Sequence, residues 1–410
     1  MRDQVRINQQ PSLPLQPITN GSRTTRIRIR VLSMRALLIL LFALGFFLTA
    51  FPTGRALTRS ALLLPALLTA SESGPSSWSS EPIKHSQLTA RSQGGTMNLD
   101  VYAPDSPTPM VSRVRSGILV IAGVGDNRQE PQLVNLLESL AHTGIVVMSL
   151  TTPALSAYTL SLNNVDSTVQ AFKILGHLPR MEGKQIGIIS ISGGVGLACL
   201  AAADPRIRSA VSYVVAFGGY FNVKSLLRTF GRRAQALDGK VVRFQPIDIP
   251  VQVLANTTGQ YLAPDERSTL VNAFADGAPP LTTDEVSSLS PGAQALYQLL
   301  AGTAPNDADA NIARLPAPMQ AQFDKLSPSS VLGQVQAPLF LMHDRDDPSL
   351  PVTETRTFAA ELARLHHPYK YVELHIFDHV RVRSDLSSTQ LLDDGFHLFD
   401  LLTTILSLNS

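Results

Sequence analysis

The chain has 410 residues, 44% of them apolar and only 16% charged, with a formal net charge of +2. That length accommodates one large α/β domain or two smaller ones, with ample apolar content for a packed core. The small net charge, without a general basic field, argues against a nucleic-acid binder. The single cysteine, Cys199, rules out an internal disulfide and any multi-cysteine metal site.

The first 35 residues carry seven arginines (Arg2, Arg6, Arg23, Arg26, Arg28, Arg30, Arg35) against one acid, Asp3. Residues 36–51, ALLILLFALGFFLTAF, then hold no charge at all. The stretch is a little short of the ~20 residues that a spanning helix prefers, but within reach once its flanks contribute. Arginines are denser before it than after, where Arg55 and Arg59 follow, so the N-terminus is expected in the cytoplasm and the body on the far side. The reading is a basic cytoplasmic segment (1–35) and a transmembrane helix or signal anchor (36–51). The rival is a cleaved signal peptide that releases a secreted body, with LTA at 48–50 or 68–70 as the cleavage site. Residues 52–84 read as a linker. Within it ALLLPALLTA (61–70) is an apolar patch containing Pro65, fit to lie on a membrane surface or pack on the domain, and SESGPSSWSS (71–80) is small, polar and aperiodic.

From about residue 85 short apolar runs alternate with helical patterns. NLDVYA (98–103), GILVIA (117–122) and IVVMSL (145–150) read as strands, and QLVNLLESLAHTG (132–144) as a helix stopped by Gly144. VDSTVQAFKILGHL (165–178) is a second helix. QIGIIS then leads into a Ser-Gly-Gly turn and a small-residue helix, in which Cys199 reads as buried, and AVSYVVAF (210–217) is again a strand. Strands apolar on both faces, alternating with helices, indicate a mostly parallel sheet flanked by helices. From about 222 to 332 the chain reads as loose, with local helical patches such as TTDEVSSL (282–289), and an insertion of that size suggests a cap over one edge of the sheet. The pattern resumes with APLFLMH (337–343), a helix at 353–366, YVELHIF (371–377) and a last helix to the end.

In SISGG, Ser192 sits between Ser190 and Gly193–Gly194. A nucleophile elbow needs small residues two before and two after its serine, because the strained turn packs those positions against neighbouring backbone. DRDDPSLP (344–351) follows the strand PLFLMH, and Asp378–His379–Val380 follows YVELHIF. Serine, acid and histidine, each after a strand of one parallel sheet, would meet at the strands' C-terminal edge. In this order and context the chain resembles the α/β-hydrolase superfamily over about residues 98–221 and 334–405. LMHDRDDPSLP is similar to the segment around the family's triad acid, which implies Asp347 as the acid, with Asp346 and Asp344 as lesser candidates. HIFDHVRV is similar to the segment holding the triad histidine and implies His379. GILVIAGVGDN is similar to the strand and turn that supply half of the oxyanion hole, with Ala122–Gly123 in place of the usual His-Gly. It implies the N–H groups of Val124 and Gly193 as donors.

The resemblance implies a serine hydrolase that cleaves an ester, thioester or amide through an acyl-Ser192 intermediate, with ester as the first choice and a lipophilic substrate suggested by the cap and the anchor. No metal, nucleotide or organic cofactor is expected. His343 and His375 read as structural, and His366–His367 as a solvated helix stop. Two other readings stand beside this one. A hydrolase fold kept as a membrane-tethered binding or scaffold protein is compatible with the Ser190 and Ala122 departures. An NAD(P)-dependent oxidoreductase would use SGGVGLA as a pyrophosphate turn. That use expects an acid after the next strand, yet no Asp or Glu occurs between Asp204 and Asp238.

Overall fold

The computed structural model describes residues 40–68, 82–105, 114–383 and 385–408. The basic segment 1–35, residues 36–39 of the apolar stretch and the polar linker 71–80 lie outside the described residues. The chain divides into two units, residues 1–55 and 56–410. In the first, α1 (Leu40–Ala50) leaves Leu40, Leu41, Phe42 and Phe46 exposed, and Phe51 meets Phe46 and Phe47 edge to face and tilted. Among the described residues no single helix is long and apolar enough to cross a membrane. Leu40–Ala50 and Pro52–Pro65 satisfy length and composition only as a pair, with a break between them.

Helix α2 (Pro52–Leu68) runs across the division. Residues 52–68, read from the sequence as linker, are therefore helical. From Ala56 onward the helix packs on the domain, with Ala56 and Leu63 buried and Ser60 accepting a hydrogen bond from Thr403. The second unit continues with β1 (Ile83–Ser92), β2 (Gly95–Pro104), β3 (Ser116–Ile121), α3 (Pro131–His142), β4 (Ile145–Thr151), a single turn α4 (Pro153–Ser156), α5 (Leu162–Gly176), β5 (Gln185–Ile191), α6 (Gly194–Ala203) and β6 (Val211–Phe217). After an insertion come β9 (Leu339–Asp344), α14 (Val352–Arg364), β10 (Tyr369–Leu374), the hairpin β11 (Phe377–Asp378) and β12 (Arg381–Val382), and α15 (Ser388–Leu408).

Eight strands form one sheet in the order β1-β2-β4-β3-β5-β6-β9-β10, antiparallel at β1–β2 and β2–β4 and parallel elsewhere. Successive residues point to opposite faces. Ile118 and Val120 of β3 thus join a core covered by α2, α3 and α15, while Leu119 and Ile121 join the one under α5, α6 and α14. Strand β3 passes to β4 on one side and the chain returns to β5 on its other side. The loops after β3 and β5 therefore open at the switch point of the sheet, where such folds leave a crevice. Strand β1 escapes a pattern-based reading because an edge strand with one covered side needs few apolar residues, and IKHSQLTARS has few.

The insertion is more ordered than its composition suggests. It contains α7 (Val223–Arg232), the hairpin β7 (Ala234–Leu237) and β8 (Lys240–Arg243), α8 (Asp248–Gly259), α9 (Pro264–Ala273), α10 (Thr283–Ser288), α11 (Pro291–Ala301), α12 (Ala308–Arg314) and α13 (Ala317–Leu326). These helices are short, and α7, α10 and α11 are started by side-chain caps. Asn222 accepts from the N–H groups of Lys224 and Ser225, and Thr282 and Glu285 bond reciprocally. The apolar side of the insertion is continuous with the core under α6. Phe230 is fully buried and stacks on Phe244, ring centroids 6.0 Å apart. Replacing Phe230 by Ala is expected to cost about 3–5 kcal/mol and to lower the urea midpoint of one common transition. A cap that melts separately, ahead of the sheet, would show that the core is not shared.

Candidate active site

Ser192 follows β5 directly and has φ +55°, in the left-handed region that a residue with a Cβ rarely adopts. Its N–H donates to the Phe217 carbonyl at the end of β6 (2.8 Å). The turn can form because its neighbours are small. A Cβ on Gly194 would lie 2.7 Å from the Ile121 carbonyl oxygen, so α6 reaches β3 only with glycine there. A Cβ on Gly196 would meet the Tyr220 hydroxyl at 2.1 Å. The glycines of this turn are thus taken up by packing of helix on sheet. Ser190, two residues before Ser192, is fully buried and donates to the Val215 carbonyl at 2.7 Å. Its hydroxymethyl is directed into the neighbouring strand, so the turn accommodates it. Cys199 is buried in α6, and burial pushes its thiol up to about 12.

The loop after β3 lies against this turn. Gly123 has φ +89°, and a Cβ there would stand 3.4 Å from the Ser192 Cβ. A Cβ on Gly193 would stand 3.6 Å from a Val124 methyl. Val124, Ser192 and Gly193 line one cavity of ≈ 50 Å³. The Asn127 amide donates to the carbonyls of Val124 (2.9 Å) and Ala122 (3.3 Å) and so braces the loop. Sequence reasoning gave Asn127 no role, although it stands in the GVGDN stretch.

Asp347 lies three residues beyond β9 and is buried, its side chain fully enclosed. Oδ1 accepts the N–H groups of Ser349 (2.7 Å) and Leu350 (3.0 Å), and Oδ2 stands 2.7 Å from Nδ1 of His379. Strand β10 ends at Leu374, earlier than the sequence suggests, and His379 sits five residues on, as the first residue of the two-residue turn between β11 and β12. Its φ is +58°, the sign that this hairpin position requires and that Gly usually supplies. Gly218, just after β6, lies directly beneath the pair: a Cβ on it would be 3.4 Å from Cε1 and Nδ1 of His379 and from Oδ2 of Asp347. Phe217, whose carbonyl holds the Ser192 N–H, is the preceding residue. The structure thereby gathers the serine turn, the imidazole and the carboxylate around the C-terminal end of β6.

The three aspartates of DRDD have different surroundings. Asp346 is exposed. Asp344 is buried at the end of β9 and accepts the N–H groups of Phe377 (2.7 Å) and Asp346 (3.0 Å). Burial, aided by the charges of Asp346 and Asp347, pushes its carboxyl up to about 6 despite those two bonds. Burial acts on Asp347 in the same sense. There, however, hydrogen bonds from His343 and His379 outweigh it and hold the carboxyl well below the ordinary range. His343, read from the sequence as structural, is thus part of the site. It is fully buried, with Nε2 3.2 Å from Oδ2 of Asp347 and 3.0 Å from the Leu350 carbonyl, and Nδ1 2.6 Å from Thr355 Oγ1. Two acceptors at Nε2 require the proton there, so the ring donates to Asp347 from Nε2 while Nδ1 faces the Thr355 hydroxyl. Of the other histidines, His375 donates its backbone N–H to the Asp394 carboxylate, and His367 bonds the Ala337 carbonyl. Among the described residues one group has metal-ligand spacing, Asp393, Asp394 and His397 on α15. Asp394 is already committed to His375.

No family model matches the sequence, and no curated protein matches it. Among solved structures the chain is similar to dipeptidyl peptidase 4 of Porphyromonas gingivalis, with 14% identity over 78% of this chain and 35% of that one and a TM-score of 0.44. It is similar to an acylaminoacyl peptidase of Pyrococcus horikoshii, with 10% identity over 80% and 41% and a TM-score of 0.45. Esterase B of Lactobacillus Rhamnosis aligns at 14% identity over 79% and 87%, TM-score 0.43. The chain spans about a third to two fifths of the length of the two peptidases.

Asp344 gives the folded chain a measurable pH signature. With its carboxyl raised from 3.8 to about 6, the folded state binds a proton between those values that the unfolded state has shed. Its contribution to stability therefore declines as pH rises through that window, by an amount on the order of 3 kcal/mol. Thermal melts of the parent and of Asp344→Asn at pH 4 and pH 7 are expected to differ, the variant losing less stability over the interval. Equal losses would place the carboxyl at its ordinary value.

Proposed function

We propose that this chain is a serine hydrolase of the α/β-hydrolase type that cleaves esters through an acyl-enzyme on Ser192. The observation that carries the reading is the His379–Asp347 pair, 2.7 Å apart, set over Gly218 next to the strained serine turn. Serine Oγ is a weak nucleophile until a base removes its proton during attack on a carbonyl. His379 takes that proton and returns it to the leaving group. Asp347 fixes the imidazole with its proton on Nδ1 and stabilises the imidazolium. The backbone N–H groups of Gly193 and Val124 receive the oxyanion, and losing one such donor typically costs roughly 3 kcal/mol of transition-state stabilisation. His343 acts one step further back, holding Asp347.

The cavity beside Ser192 supports an apolar acyl group of modest size. Leu160, Val223, Leu226, Val253, Phe323 and Leu350 are among its walls, and among the described residues no charged one lines it. Nothing in it would anchor a substrate's ammonium or carboxylate, which favours a neutral ester over a charged peptide terminus. We further propose that the chain is held at a membrane through its arginine-flanked apolar stretch, with the hydrolase domain on the side opposite the N-terminus. Alkaline carbonate extraction of the full chain should leave it with the membranes, and release would count against the attachment.

A fluorophosphonate probe is expected to label the parent and not Ser192→Ala. p-Nitrophenyl butyrate should be turned over faster than an ester with a charged acyl group. Asp347→Asn should reduce kcat by about 10³–10⁴ with the fold intact, since the imidazole then loses its tautomer. A folded parent that takes no label would move the reading to a non-catalytic scaffold.

A further inference from the structure

A second cavity, larger than the one at Ser192, lies on the other face of the sheet. It measures ≈ 250 Å³ and is walled by the sheet and by leucines and isoleucines of α2, α3 and α15. Its lining runs from Gln132 to Leu140 along α3 and from Leu398 to Leu406 along α15. Eight residues of helix span about 12 Å, so the space is a slot rather than a pit. Among the described residues, polar side chains line it only at Asn127, Glu130, Gln132 and Arg381. These come from one neighbourhood, the start of α3 with the loop before it and the β11–β12 hairpin. The slot therefore has a polar end and a long apolar remainder.

The polar end offers one exposed cation, Arg381, beside one half-exposed acid, Glu130. Asn127 is occupied with two backbone carbonyls, and the Gln132 amide donates to the Val380 carbonyl (3.1 Å). The Arg381 side chain is 76% exposed and faces Glu130 at 3.7 Å. An exposed pair at that separation is weak, so a ligand carboxylate can compete with Glu130 for the guanidinium. We propose that this slot binds the anion of a medium-chain fatty acid, its chain along α3 and α15 and its carboxylate at Arg381.

The slot and the serine cavity share a partition. Ile191 lines one and Ser192 the other, and likewise Ala122 and Val124. Phe377 and Val380, which flank His379 in the hairpin, line the slot. The two sites are thus separate in space while one hairpin belongs to both. The binding proposal stands whether or not Ser192 is a nucleophile.

Isothermal titration of full-length Ser192→Ala with dodecanoate, below its micellar range, tests the site without turnover. One equivalent is expected to bind. Arg381→Glu, a surface change, should weaken binding about tenfold, and Leu402→Trp, which fills the slot, should weaken it more. Leu226→Trp, which fills the serine cavity instead, should leave binding unchanged. Circular dichroism and the melting temperature report whether each variant is folded, and Leu136→Phe replaces Leu402→Trp should that one fail. Absence of binding would overturn the proposal. So would binding that is lost in Leu226→Trp but untouched by Arg381→Glu and the slot-filling variant, since the fatty acid would then occupy the serine cavity.

Discussion

A buried carboxylate needs donors for its charge, and Asp347 has four: two backbone N–H groups and two imidazoles. Without them the charge would be lost to protonation or would cost several kcal/mol. Meeting that demand shapes everything around the site. The chain must turn back after β9 so that Ser349 and Leu350 face Oδ1. His343, four residues earlier, must be drawn under Oδ2. The β11–β12 hairpin must approach from beyond β10 to bring His379 to the same atom. The hairpin is held by backbone as well: Asp344 accepts the Phe377 N–H, Arg345 N–H bonds the Leu374 carbonyl at 2.7 Å, and Arg383 N–H bonds the Ile376 carbonyl at 2.9 Å.

The same segment governs the cap. Glu354, in the first turn of α14, is buried and accepts the N–H groups of Phe221 and Asn222 and the Ser225 hydroxyl. Phe221 stacks on Phe358 of the same helix, centroids 4.7 Å apart. The far end of the insertion returns to this spot: Val223 N–H bonds Ser327 Oγ, Ser329 N–H bonds the Phe221 carbonyl, and the Tyr220 hydroxyl donates to the Leu326 carbonyl. The insertion thus leaves and re-enters at one stitched base. Its walls at Tyr220, Val223, Leu226 and Leu326 are fixed relative to Ser192, because the bonds that close the base run through the residues beside them.

What the sequence makes legible follows from how local each signal is. The Ser192 turn is a five-residue matter of small neighbours, and the order of strands and loops is carried by apolar runs, so both stand out in the chain. The choice among Asp344, Asp346 and Asp347 does not, because it depends on which way each side chain points once the loop has turned back. His343 is invisible for a related reason. Its spacing from Asp347 suggests nothing until the turn brings the two together. The cap's helices hide in a composition of Ala, Ser, Thr and Asp because most are only six to twelve residues long, too short for an apolar period to stand out. For α2, Pro65 and the shortness of ALLLPALLTA leave two readings of that patch open, a membrane surface or packing on the domain, and the partner that decides between them, α15, lies at the other end of the chain.

Asp344 and Asp347 are three residues apart, yet their carboxyls move in opposite directions. Both are desolvated. The difference lies in the donors: Asp347 has two imidazole N–H groups besides its two backbone N–H groups, and that of His379 can carry a balancing charge, against backbone N–H groups alone on Asp344. Two like charges in so small a space repel, so the site favours one firmly ionised group beside one that gives up its charge first. In the proposed reaction the firm charge is the one bonded to His379. The desolvation that burial of Asp347 imposes on the folded chain is then the source of its strength when the imidazole becomes cationic, because a low-dielectric pair attracts more than a solvated one. Placing the weaker acid away from His379, on the hairpin's backbone, keeps the anchor of the loop separate from the charge that the chemistry uses.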